Sequence, residues 1–195
     1  MKPLFFETLK VQNQTIHNLD EHNYRLNQTI LKNFGKNPKI NLKNFIAPPK
    51  DSKLYRCKVI YDTEIKSVDF YPYTQKNIKS FKIIPSKIKY NFKYADRSSI
   101  DALYSKRGKA DEILLIDEDE RLKDTSIANI ALKIDGIWLT PSKPLLRGTQ
   151  RAKLLKDGSL HEKELFLKDI EKIESFAIIN AMIGFVTIKD PKFIR

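Results

Sequence analysis

One cysteine, six glycines and three histidines in 195 residues leave little material for several common chemistries. The lone thiol, Cys57, excludes an internal disulfide framework and a cysteine-based zinc site. Six glycines are too few for a P-loop or a dinucleotide-binding glycine fingerprint. His17, His22 and His161 have no metal-ligand spacing, and no Ser-His-Asp arrangement can be argued. No apolar run approaches the roughly 18 residues of a membrane span, and the mean hydropathy is −0.45. A carboxylate, Glu7, arrives too early for the apolar stretch of a secretion signal. The expectation is a chain in a reduced, cytoplasmic setting with no membrane partner.

What the chain does hold is core and charge. Apolar residues make up 41% and aromatics 10%, enough to bury a real core in one or two small domains. The net charge of +12 comes from 28 Lys and 8 Arg interleaved with 24 acids. Nucleic-acid footprints are clustered and richer in arginine. Here the bases run from Lys2 to Arg195, so no nucleic-acid partner is expected, and a positive field that steers a small anionic substrate fits equally well.

Periodicity gives an α+β chain in two unequal domains, 1–74 and 75–195. Residues 5–11 alternate as a strand, and 15–19 pair back across Asn13-Gln14. Asp20 is placed as the N-cap of a helix whose Leu26, Ile30 and Phe34 share one face, and Gly35 ends it. A short helix is expected near Leu42, and strands at 54–61 and 65–71. After a linker at 72–77 come a strand at 81–84, a helix at 97–106 and a buried strand at 112–116. Residues 127–134 and 137–140 form a hairpin turning at Asp135-Gly136. Thr149 is placed as the cap of a short helix, followed by a helix at 169–173 and final strands at 176–186.

Three segments carry possible chemistry in a fixed order: Lys93-Tyr94-Ala95-Asp96-Arg97, Lys123-Asp124-Thr125-Ser126-Ile127-Ala128-Asn129, and Leu146-Arg147-Gly148-Thr149-Gln150-Arg151. A lysine, a carboxylate and a small-residue turn are what a pyridoxal 5'-phosphate (PLP) site requires. The amine joins the cofactor aldehyde, the acid keeps the pyridine nitrogen protonated, and backbone N–H groups of the turn receive the phosphate. Each signal also has an ordinary reading. Lysines are usually solvated, Asp124 can be a turn residue, and Thr149 a plain cap. Lys93 stands apart because it follows Tyr90 and Phe92 on an apolar approach, where an amine is partly desolvated. Arg25, on the first helix, is a candidate for bidentate pairing with a phosphate.

Together these segments resemble the class IV aminotransferase family, the fold-type IV PLP enzymes. Phe6-Glu7-Thr8-Leu9-Lys10-Val11 is similar to its opening strand, and His22-x-x-Arg25-Leu26 to its phosphate-arginine motif. The lysine, acid and loop segments above match in order, preceded at the loop by Thr140-Pro141. Ile179-Asn180-Ala181-Met182 resembles the closing strand. The Lys-x-x-x-Arg and Asn-Ala pairs are most similar to the 4-amino-4-deoxychorismate lyase form, with D-amino acid and branched-chain aminotransferases as the neighbouring forms.

The resemblance implies a D-amino acid aminotransferase-like fold, with a small N-terminal α/β sandwich and a larger, barrel-like β domain carrying the lysine. It implies PLP as cofactor and Lys93 as catalytic residue. Arg25, Thr149 and Gln150 would hold the phosphate, and Asp124 the pyridine nitrogen. Ser126, Ile127 and Asn129 would line the ring, and Asn180, Ala181 and Arg97 the substrate. It further implies a small anionic amino substrate and a homodimer. The activity expected is p-aminobenzoate and pyruvate release, or else amino transfer, or a PLP-binding protein of low turnover. Three departures stand out: Asp124 replaces the usual glutamate, Gln150 a common threonine, and the small domain after Arg25 is cut down.

Overall fold

The computed structural model describes residues 2–195, which divide into two compact units. One comprises the chain to Gln75 together with Phe92–Asp96; the other comprises Lys76–Asn91 and Arg97–Arg195.

In the first unit the strands β1 (Phe5–Gln12), β2 (Thr15–Ile16), β3 (Tyr55–Tyr61) and β4 (Ile65–Pro72) form an antiparallel sheet in the order β2-β1-β3-β4. The β1–β2 turn is Asn13-Gln14, both at positive φ (50° and 60°), as a two-residue hairpin demands. Helix α1 (Leu19–Phe34) buries His22, Leu26, Thr29 and Ile30, spaced by four, three and one as a helical face requires. Leu26 and Ile30 join Phe5, Leu9, Val11, Cys57, Val59 and Tyr61 in one core. Burying a large aliphatic or aromatic side chain contributes about 1.5–3 kcal/mol, so this face, not helix propensity, holds α1 in place. The helix begins one residue before Asp20: Asn18 occupies the cap in a left-handed conformation, which leaves Asp20 and Glu21 in the first turn against the helix dipole.

Phe92–Asp96 returns to this first sheet. The Phe6 N–H donates to Lys93 O (2.9 Å) and the Ala95 N–H to Leu4 O (2.8 Å), with a bridge between Phe5 and Tyr94. The sequence reading put Lys93 in the C-terminal domain; its backbone hydrogen bonds put it with the N-terminal strand.

The second unit has two sheets. β5 (Ser80–Pro85), β6 (Glu112–Ile116) and β12 (Lys192–Ile194) are parallel in the order β12-β5-β6. β7 (Asn129–Ile134), β8 (Ile137–Pro141), β9 (His161–Lys163), β10 (Ser175–Asn180) and β11 (Gly184–Ile188) are ordered β11-β10-β7-β8-β9. All five residues of β6 are buried, Glu112 together with the apolar run of 113–116 that follows it. The β7–β8 turn has Asp135 and Gly136 both at positive φ, the type I′ geometry. Neither sheet closes on itself, so the unit is barrel-like only in the loose sense. Its helices are α2 (Ser98–Tyr104) and α3 (Thr149–Lys156), with 3-10 turns at Ser105–Arg107 and Leu167–Lys172; a third 3-10 turn, Leu42–Asn44, lies in the first unit. Residues 169–173, read as a helix, thus form a tighter turn. Among the described residues no helix is long and apolar enough to cross a membrane.

Candidate active site

The first unit gathers four groups. Glu7 on β1 is completely buried, although its side chain is a carboxylate. Its Oε1 accepts from Arg25 Nε (2.9 Å), and its Oε2 from Arg25 Nη2 (2.5 Å) and His22 Nδ1 (2.6 Å). Because a carboxylate only accepts, His22 carries its proton on Nδ1. Burial pushes the Glu7 carboxyl up, but the Arg25 charge and the bonds from both partners outweigh it and hold the group down at about 2. Burial lowers His22 against the pull of Glu7, and the charges of Arg25 and Lys93 lower it further. Lys93 Nζ lies 4.5 Å from the centre of the Phe6 ring, within cation–π range. Arg25 and Lys93, singled out from sequence, therefore belong to one electrostatic cluster. Glu7 and His22, quoted only as motif residues, are its buried centre.

The second unit gathers the rest around residues 124–129. Asp124, 3% exposed, accepts from Asn129 Nδ2 on Oδ1 (2.8 Å) and from the Leu146 N–H on Oδ2 (2.8 Å). Asn129 Nδ2 also donates to Leu146 O (2.7 Å). A closed triangle thus ties the acid to the loop that leads into α3. Burial pushes the Asp124 carboxyl up to about 6, against the two hydrogen bonds and the charge of Arg151. Thr125 Oγ1 accepts from the Ile127 and Ala128 N–H groups, folding the segment back on itself. Ser126 donates its hydroxyl to buried Glu112 (3.0 Å). The carbonyls of Ser126 and Ile127 take side-chain bonds from Arg97 (3.0 Å) and Asn180 (3.3 Å). Asn180 Oδ1 in turn accepts from the Met182 and Ile183 N–H groups, which fixes the turn through Ala181. Ile127 itself is 45% exposed.

Helix α3 starts at Thr149, with Gly148 rather than Thr149 at the cap. The glycine at this position has a steric reason. A Cβ at residue 148 would overlap Asn129 Oδ1, so only glycine brings the chain this close to the asparagine. Thr149 is buried and, with Gln150, heads the helix, where N–H groups point along the positive end of the dipole. Sequence reasoning missed Glu7, His22, Glu112 and Leu146. Glu7 sits among strand residues whose alternation marks it as inward, and that was the available signal; β6 has no alternation to mark Glu112.

Residues 91–190 match the profile of the amino-transferase class IV family. An uncharacterized protein of Haemophilus influenzae is 38% identical over 189 residues, covering 94% of this chain and all of that protein. A Schizosaccharomyces pombe protein provisionally named aminodeoxychorismate lyase is 42% identical over 73 residues, 35% of this chain and 30% of its own length. A solved structure from Haemophilus somnus 129pt, provisionally named 4-amino-4-deoxychorismate lyase, superimposes with a TM-score of 0.85 at 31% identity, covering 94% of this chain and 98% of that one.

Proposed function

The chain belongs to the class IV aminotransferase family, and on that premise we propose that it is a PLP-dependent enzyme of the 4-amino-4-deoxychorismate lyase type. The observation that carries the cofactor reading is the triangle of Asp124, Asn129 and Leu146, which couples a buried acid to the head of α3. An acid raised by burial is driven to ionise by a cationic partner such as a protonated pyridine nitrogen. The head of α3, where N–H groups are left without helical partners, suits a phosphate. In this reading Asp124 would pair with the ring nitrogen, Thr149 and Gln150 would bind the phosphate through backbone N–H groups and Arg25 through its guanidinium, and Lys93 would take the aldehyde. When bound, PLP supplies the electron sink that stabilises negative charge on the substrate carbon bearing the amine.

Lys93 then acts as the base. It takes the proton from the amine-bearing ring carbon; the bond between the adjacent ring carbon and the enolpyruvyl oxygen breaks, enolpyruvate leaves, and the ring becomes aromatic. The same ammonium gives its proton to the methylene carbon of the enolpyruvate, which becomes pyruvate, and no external oxidant is needed. Arg97 and Asn180 hold the 126–127 carbonyls in place, and the net charge of +12 favours an anionic substrate. The names of the Haemophilus somnus and Schizosaccharomyces pombe relatives support the lyase over the transferase. The same reading includes a homodimer.

The test is direct. Purified protein given PLP and 4-amino-4-deoxychorismate should form p-aminobenzoate and pyruvate in equal amounts. A keto-acid-dependent loss of the cofactor's visible band, with no p-aminobenzoate, would identify an aminotransferase instead.

A further inference from the structure

A carboxylate removed from water is costly unless its oxygens meet donors, and apolar residues of similar volume often serve stability as well as a buried ion pair does. Glu7 is buried in a region where β1 and α1 already meet through Phe5, Leu9, Leu26 and Ile30. That apolar contact closes the interface without any charge. The arrangement of the charged group therefore calls for a reason beyond packing.

Its geometry supplies one. His22 and Arg25 lie three residues apart, on one face of α1. Arg25 meets Glu7 side-on, through Nε and Nη2. A side-on fork fixes the plane of the guanidinium as well as its position. The His22 Nδ1–H, 2.6 Å from Oε2, fixes the carboxylate in turn. The Arg25 side chain keeps 15% exposure, whereas Glu7 and His22 keep none. Of the three, the arginine alone keeps any exposure.

We propose that Glu7 and His22 are positioning residues for Arg25: the carboxylate sets the plane of the guanidinium, the histidine sets the carboxylate, and Arg25 thereby presents a pre-oriented edge to a phosphate monoester dianion. The inference rests on the cofactor reading above. It makes a prediction of unusual sign. If charge alone mattered, Glu7→Gln would strengthen phosphate binding, because a negative neighbour is removed. If orientation matters, the same change weakens it, because the guanidinium loses its anchor and must be ordered by the ligand.

The experiment measures PLP affinity of the full-length apo-protein by titration, and inorganic phosphate affinity by competition, alongside thermal melting of each variant. Glu7→Gln should weaken both ligands by about 10- to 100-fold, the range for losing a hydrogen bond to a charged group. His22→Leu should weaken both, and His22→Asn, which keeps a donor near the Nδ1 position, should recover most of the loss at a similar melting temperature. In an Arg25→Gln background Glu7→Gln should have no further effect, since both residues act through the same guanidinium. Should Glu7→Gln not fold, the His22→Leu and His22→Asn pair carries the test. Unchanged or tighter binding in Glu7→Gln, the same loss in the Arg25→Gln background, or failure of His22→Asn to recover binding would overturn the inference. A wild-type chain that binds no PLP would overturn the cofactor reading as well, so the two failures are distinguishable.

Discussion

At the scale of single residues, Asp124 holds the clearest consequence. Burial pushes its carboxyl from the ordinary 3.8 to about 6. Between those values the folded chain holds a proton that the unfolded chain has released, so acidification through about 6 stabilises the fold. Above about 6 the folded chain carries the whole cost of the buried charge, on the order of 3 kcal/mol. His22, lowered by burial, does the opposite: the unfolded chain takes up its proton first as pH falls, and the fold loses stability. Comparing wild type with Asp124→Asn removes His22 from the difference, since both proteins carry it. Melting apo-protein from pH 4 to 8, the wild type should gain on the variant as pH falls from 7 to 5. PLP affinity of the wild type should also fall below about pH 6, because pairing with the pyridine nitrogen needs the ionised acid. Parallel pH profiles for the two proteins would refute the account of Asp124.

At the scale of elements, the loop entering α3 is set by one close approach. The Gly148 backbone has φ −70° and ψ 146°, which any residue adopts, so the glycine is required by space and not by conformation. The asparagine it touches is held by two hydrogen bonds and cannot easily turn away. Gly148→Ala should therefore destabilise the fold by about 1–3 kcal/mol, the range for overpacking, and weaken PLP binding. Adding Asn129→Gly should return part of the stability but not the affinity, because the acid loses its donor. Equilibrium denaturation and PLP titration of both variants check this, and an undiminished affinity in Gly148→Ala would contradict it. This element also marks a limit of sequence reading. Threonine and glycine are comparable caps, so cap preference does not choose between Thr149 and Gly148. The three-residue strands β9 and β12 escaped notice for a related reason. His161–Lys163 has no apolar side chain to mark a face, and Lys192–Ile194 is too short to show alternation, so each is a strand because β8 or β5 pairs with it.

At the scale of the molecule, local pattern and order along the chain carried most of the fold. β1, β3, β6 and the β7–β8 hairpin follow from alternation, burial runs and turn residues, and α1 from its apolar face. The order of lysine, acid and turn marked the family. What could not be read was membership of elements in units: Lys93 is covalently among second-unit residues but hydrogen-bonded to Phe6. Nor could sequence show that Glu7 is paired, since its partners lie 15 and 18 residues away on a helix. Lys93 and Arg25 belong to the first unit, and Asp124 and Thr149 to the second. The central claim is that Lys93 holds PLP, and one measurement reaches it most directly. Protein incubated with PLP, reduced with borohydride, digested and mapped by mass should carry pyridoxyl on Lys93, with the visible band bleached in step, and Lys93→Ala should show neither band nor label. Pyridoxyl absent from Lys93, or found at comparable levels on other lysines and retained there in Lys93→Ala, would contradict the account.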